Sequence, residues 1–486
     1  MQEPDLLHLL PEKRYSSFRI TGQQVRKRAG IAGRKIWMSK ETTPASAGTP
    51  DPVTDMDVAA LDRKIWWRII PFALALYVVS ILDRVNIGYA ALTMNADLGI
   101  DPFLFGAVSG IFFVSYIIFE VPSNQYLART GARVWLFRIM ASWGVIAVLM
   151  ALVTSPLELG ILRFLLGAAE AGFAPGLVLY LSFWFRKEVL AKALAVFFMA
   201  IPLAMLIASP VSAVILSHVA WFGMAGWRWL FVLEGLPAII LGCAILVCLP
   251  DLPEKAVWLT GAERSWLAPL LEGKRVHDET GTKIPLRGLV ALPGVGLLCA
   301  ASFLVGLFLT GLLFWIPQIV ASSGLSGSIE QTGLFVMMPY ALSVIVMYAW
   351  SRHSDRTGDR RLHVAVPLFL AAVFLVALAL PHGGAGPGFL ILSCAIAACY
   401  AAYAPFFALT LDLFPPALRA SGTALVNTIA SVGALAGPLV FGLAGGRLTG
   451  TLPLVLFLLL GAALIACAIL LAKNGKTGTR GLKVNN

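Results

Sequence analysis

Residues 75–90 read ALYVVSILDRVNIGYA and residues 159–176 read LGILRFLLGAAEAGFAPG. Both stretches are apolar enough for a bilayer, yet the first carries Asp83 and Arg84 and the second Arg163 and Glu170. A charge at the centre of a membrane helix costs at least about 2.5 kcal/mol on insertion scales, so charges kept there signal function. The rest of the chain fixes the solvent. Of its 486 residues, 58% are hydrophobic and 13% charged, about half the charged fraction of a soluble domain. The fold class expected is an all-α integral membrane protein.

Stretches of about 20 apolar residues, enough to cross about 30 Å of hydrocarbon, occur twelve times, near 69–93, 103–127, 134–154, 157–184, 191–219, 227–249, 291–319, 331–350, 363–381, 388–412, 421–445 and 451–472. Lys and Arg settle their orientation. Arg129 to Arg138, Arg186 to Lys192, Lys255 to Arg287, Arg352 to Arg361, Arg419 and Lys473 to Lys483 all fall on the side of the basic amino-terminal segment. That side is the cytoplasm by the positive-inside rule. The opposite connections NADLGID, TSP, SSGLSGS and PHGGAGPG carry no Lys or Arg. Both termini are therefore expected in the cytoplasm.

The net charge of +11 is spread over short loops and forms no face interleaved with aromatics. Its partner is expected to be anionic lipid and not nucleic acid. Cys243, Cys248, Cys299, Cys394, Cys399 and Cys467 lie in or beside apolar spans without metal-ligand spacing, and read as packing residues. No metal site or cofactor is expected. Residues 1–65 form a polar, disordered segment by composition, and Met38, which opens MSKETTPASAGTPDPVTD, is an alternative translation start.

An internal repeat organises the remainder. Arg129-Thr130-Gly131-Ala132-Arg133 follows the second span and Arg356-Thr357-Gly358-Asp359-Arg360 the eighth. Two six-helix bundles, 66–250 and 291–472, joined by a cytoplasmic linker, 251–290, and followed by a tail, 473–486, fit a duplicated transporter.

These loops resemble the cytoplasmic motif of the major facilitator superfamily, Gly-x-x-x-Asp-Arg-x-Gly-Arg-Arg. The second copy keeps Asp355, Arg356, Gly358 and Arg360, while the first has Ala128 at the acidic position and Asn124 where the leading glycine would fall. The first latch is therefore expected to be the weaker. A narrower resemblance lies in DRVNIG at 83–88, FEVPSN at 119–124, RFLLGAAEAG at 163–172 and GWRWLF at 226–231. Together these are similar to the anion:cation symporter family, which includes bacterial carriers of tartrate, phthalate, galactonate and aromatic acids.

The residues themselves point the same way. Asp83 and Glu170 both lie roughly 20 Å along their helices, near the midplane. Arg163 and Glu170 are seven residues apart, within about 20° on one helical face. Arg84 is about 100° round from Asp83, so the two cannot point the same way. A guanidinium offers a carboxylate a planar fork of donors and stays charged. The duller reading is that these charges only hold helices together. It is preferred for Glu120, Asp412 and Glu234, the last within two turns of Arg228.

The family resemblance implies protonation at Asp83 and Glu170, anion binding by Arg84 and Arg163, and substrate contacts from Tyr116 and Asn427. Trp315, Tyr340 and Tyr403 are the aromatic candidates of the second half, and Arg129, Gly131 and Arg133 join the second loop copy as gating residues. Ile201 stands where the sugar-acid carriers have a glutamine, which disfavours a polyhydroxylated substrate. The function expected is proton-coupled uptake of a small organic carboxylate by alternating access, performed by a monomer in the bacterial inner membrane. The rivals are a proton-antiporting exporter of metabolites or drugs and an anion sensor that does not transport. An enzyme is not expected, since the spans hold no nucleophile or phosphate-binding loop.

Overall fold

The computed structural model describes residues 57–272, 289, 294–381, 383–414 and 418–445. Among them every regular element is helical, and eleven spans are long and apolar enough to cross a membrane. Numbered in chain order, they are Val58–Leu98, Pro102–Leu127, Ala132–Leu152, Pro156–Ser182, Lys192–His218, Gly226–Cys248, Val295–Ser322, Ile329–Thr357, Arg360–Ala379, Ala385–Thr410 and Ser421–Leu443. The expected twelfth span at 451–472, the tail at 473–486, residues 1–56 and part of the linker lie outside the described residues.

Span one corrects the expected boundary at residue 66. Its helix begins at Val58, where the Asp57 side chain accepts from the Ala60 N–H at 2.9 Å. The added turns hold Leu61 and Ile65 in the core and place two of their charges in ion pairs. Asp62 meets Arg186 at 2.6 Å, and Lys64 meets Glu263 at 2.8 Å. A hydropathy window rejects such a stretch because its charges are counted and their partners are not.

Glu263 belongs to a linker helix, Gly261–Glu272, beneath the first bundle. Partial burial opposes its ionisation, but hydrogen bonds from Lys64 and the Thr260 N–H outweigh that and hold its carboxyl below the usual range. Trp258 stacks on Trp184 at 5.5 Å, so the connector after span six packs against the end of span four.

Span four is broken within the membrane. Its first helix ends at Glu170 and its second starts at Phe173, with Gly172 at φ +84° between them. Pro175 removes an N–H and crowds the Ala171 carbonyl, which no continuous helix tolerates well. A Cβ at Gly172 would lie 2.6 Å from Ser123 Oγ, so glycine is required twice over.

The first six spans and the later ones meet most closely at the end away from the basic loops. There a Cβ on Gly106 of span two would lie 2.5 Å from the Pro438 carbonyl oxygen of span eleven, and one on Gly88 of span one 2.9 Å from that of Phe314 on span seven. Between spans five and eight, Ser209 Oγ donates to the Gly333 carbonyl at 2.6 Å. Towards the basic end, Phe198 of span five stacks on Phe407 of span ten at 6.1 Å. Gly106→Ala should hold the glycine-tight end apart, since overpacking costs about 1–3 kcal/mol. A Phe314→Cys probe, in a background without the native cysteines, should then react with a hydrophilic maleimide at least about fivefold faster. An unchanged rate would show that this contact does not close that end.

Candidate functional site

Arg163, Glu170, Arg84 and Tyr116 come together where spans one, two and four meet span seven. The break in span four leaves Glu170 at a helix end, and its Oε1 accepts from Arg84 Nη2 in a close ion pair. Glu170 is 1% exposed. The Arg84 guanidinium also lies over the rings of Phe112 at 5.5 Å and Tyr116 at 5.6 Å.

Arg163 is fully buried, at 0% exposure. Its guanidinium lies between Phe112 of span two, at 5.1 Å, and Phe314 of span seven, at 5.7 Å. Nε, Nη1 and Nη2 have no hydrogen-bond partner among the described residues. Cation–π contacts, worth about 2 kcal/mol or more each when desolvated, offset part of the several kcal/mol needed to desolvate an ion, but they leave the N–H donors of the guanidinium unmet. An anion between the bundles would make up the difference, and an aromatic frame leaves the planar fork in place to receive it.

Asp83 does not join this group. It is 1% exposed, and its Oδ2 accepts from Trp143 Nε1 of span three at 2.8 Å, so it faces into the first bundle while Arg84 faces Glu170. This is the 100° offset expected of consecutive helical residues. Glu234 departs from its expected pairing with Arg228. It is buried and its Oε1 accepts from Ser212 of span five at 2.7 Å, while Arg228 donates to the Ala151 carbonyl at 2.6 Å.

The second-half candidates are dispersed. Trp315 Nε1 donates to the Pro438 carbonyl at 3.1 Å and its ring meets Phe105 edge-on at 5.0 Å, which places it in the closed contact between bundles. Tyr340 packs edge-on against Tyr400 at 6.1 Å, and Tyr403 against Phe407 at 5.0 Å. Asn427 is exposed on span eleven, and Ile201 is half-buried on span five.

Both loop copies are anchored within their own half. In the first, Gly131 takes φ +90°, and Asp251 beyond span six accepts from the Arg133 N–H at 2.8 Å, filling the acidic role that Ala128 cannot. The Arg133 guanidinium donates to the Leu246 carbonyl, and Arg129 is exposed. In the second, Gly358 takes φ +68° and Arg360 meets Asp412 at 3.3 Å, the structural partnership expected of Asp412. Asp355 and Arg356 are exposed.

Sequence reasoning missed Phe112 and Phe314. Aromatic residues are common in apolar spans, and only the fold shows these two on either side of one guanidinium.

A family model described as Major Facilitator Superfamily matches residues 73–438. A candidate tartrate transporter of Agrobacterium vitis is 41% identical over 427 residues, which cover 85% of this chain and 91% of that protein. A quinolone resistance transporter of Acinetobacter baumannii is 35% identical over 384 residues, covering 78% and 87%. Among solved structures, a bacterial homologue of the human lysosomal transporter Spinster, in an inward-facing and occupied conformation, matches with a TM-score of 0.65 at 15% identity, over 84% of this chain and 96% of that one. At that identity the likeness concerns the fold alone.

Proposed function

We propose that this chain, which belongs to the major facilitator superfamily, takes up a small organic carboxylate together with protons by alternating access. It is a multi-pass membrane transporter and not an enzyme. The basic loops face the cytoplasm in this reading, a twelfth span follows the described residues, and a monomer suffices.

The observation that carries the proposal is Arg163, a buried guanidinium without a hydrogen-bond partner among the described residues, beside an Arg84 that Glu170 already holds. An incoming carboxylate is drawn to Arg163 and competes with Glu170 for Arg84. Once displaced, Glu170 is a buried carboxylate without its cation, and a proton neutralises it at less cost than leaving it charged. Substrate and proton are then taken up together, with Tyr116, Tyr340, Tyr403 and Asn427 left to read shape. Tartrate, in the name of the Agrobacterium relative, is the first substrate to try.

A thermal-shift screen of the purified carrier against tartrate, phthalate, nicotinate, hydroxyphenylacetate and a sugar acid tests the binding claim. A ligand at a hundred times its dissociation constant stabilises by about 2.7 kcal/mol. At least one carboxylate should raise the melting temperature, and its amide analogue should not. Equal shifts from acid and amide would remove the anion from the account. The quinolone resistance relative favours a second reading, proton-antiporting export. The sign of coupling to a pH gradient separates the two.

A further inference from the structure

Span three carries an arginine on the face it turns to lipid. Val134, Val145 and Leu149 of this helix are exposed large apolar residues, and at about 100° per residue Arg138 falls within about 60° of the same stripe. The opposite face, with Leu136, Met140 and Trp143, is buried in the first bundle. Arg138 is itself half-buried, and among the described residues its side chain makes no hydrogen bond or ion pair. The contact it does make is with a ring, for its guanidinium lies over Trp135 at 4.4 Å.

The side chain points to one leaflet. Arg138 stands about 9 Å along the helix from Ala132, and helical side chains lean towards the amino-terminal end, which in span three is the end of the basic loops. Trp135 lies one turn nearer that end, so the guanidinium over its ring has turned back towards the headgroup layer and away from the hydrocarbon. Asp251, the acid beside this loop, is already engaged, accepting from the Arg133 N–H at 2.8 Å and lying 3.7 Å from Lys255. Arg129, at the end of span two, is exposed and adds charge of the same sign.

We propose that Arg138 and Trp135 seat the phosphate of an anionic phospholipid in the leaflet on the side of the basic loops. The guanidinium offers its fork of donors to the phosphate oxygens, and the acyl chains run along Val145 and Leu149. A zwitterionic headgroup would bring its own ammonium to a loop that is already basic, so a headgroup of net negative charge fits better. The loop charges draw anionic lipid to this leaflet in general, and Arg138 gives one molecule a fixed place.

The seat is joined to the break in span four. Trp135 stacks on Tyr126 of span two at 5.3 Å, and its Nε1 donates to Ser123 Oγ at 3.0 Å. Ser123 is buried, and its Oγ stands only 2.6 Å from where a Cβ on Gly172 would lie, two residues after Glu170. A headgroup that holds Arg138 against Trp135 therefore holds Ser123 against the open turn beside Glu170. The seat and this link stand apart from the carboxylate reading above. Only their effect on transport rests on it.

Native mass spectrometry of the detergent-purified carrier, titrated with phosphatidylglycerol or phosphatidylcholine, tests the seat. Wild-type protein should hold its first phosphatidylglycerol at least about fivefold more tightly than phosphatidylcholine, the ratio that one basic residue near a membrane surface supplies. Arg138→Gln should abolish that preference, while Arg352→Gln, which removes an equal charge from the end of span eight, should keep it. Equal affinity for the two lipids in wild type would overturn the proposal whether or not the variants fold. So would displacement of phosphatidylglycerol by millimolar inorganic phosphate, which would make the occupant a free anion. Hydrogen exchange of residues 168–174 in nanodiscs reads the link to span four. Phosphatidylglycerol in place of phosphatidylcholine should slow that exchange at least about twofold in wild type and leave it unchanged in Ser123→Ala, which cannot accept from Trp135. Equal exchange in both lipids for wild type would overturn the link. Failure of carboxylate transport with the lipid preference and the exchange effect intact would instead count against the transport reading alone.

Discussion

Glu170→Gln is expected to convert an accumulating carrier into an equilibrating one. In the wild type each coupled proton supplies about 1.4 kcal/mol per pH unit, or about tenfold accumulation. The glutamine can still accept a hydrogen bond from Arg84, so the local packing of this 1%-exposed position is largely kept. It cannot alternate between a charged and a neutral state. Arg84, no longer neutralised, is permanently available to the substrate, and binding ceases to require a proton. Uphill uptake under an acid-outside gradient should fall to a ratio near one, while exchange of labelled for unlabelled substrate persists within about tenfold of wild type. Loss of both activities would mean that the Arg84–Glu170 pair holds the helices and does not couple. Retention of full accumulation would remove Glu170 from the proton path.

Arg163→Gln carries the second large effect, and two readouts separate function from architecture. A bracing arginine leaves its partners stranded when it is removed, at a cost of about 3–5 kcal/mol. Arg163 has no hydrogen-bonded partner to strand among the described residues, only the faces of Phe112 and Phe314. The empty variant should therefore melt no lower than wild type, because an uncompensated buried charge has gone. Substrate binding should weaken by about 2–5 kcal/mol, the usual loss for a desolvated charge pair, which is more than about thirtyfold in affinity. Arg163→Lys should recover little, since a point charge does not reproduce the planar fork between two rings. A lower melting temperature with unchanged affinity would reverse the assignment.

The sequence made the membrane fold legible because its signal is redundant. Long apolar runs, one-sided loop charge and the repeated Arg-Thr-Gly-x-Arg each point to it separately. Arg163 and Glu170 could be placed on one face because they share a helix, and a seven-residue spacing is geometry that sequence contains. The partner of Arg84 lies on another span, and so do the rings around Arg163, which only packing brings together. Asp83 shows the limit clearly. Helical rotation already turned it away from Arg84, but its partner Trp143 lies on another span. Glu234 was assigned to Arg228 by nearness along the chain, whereas Ser212 of span five holds it. The break at Gly172 was signalled by Pro175, but only the φ of +84° shows the chain opening directly after Glu170.

Proteoliposomes containing only this protein, loaded at neutral pH and challenged with the labelled carboxylate that gave the largest thermal shift, address the coupling itself. With acid outside and the membrane potential clamped, the carboxylate should accumulate at least about tenfold per pH unit. A sodium gradient of the same size should produce no accumulation, and a protonophore should abolish the effect of acid. Accumulation indifferent to the pH gradient, or net expulsion under it, would contradict the account.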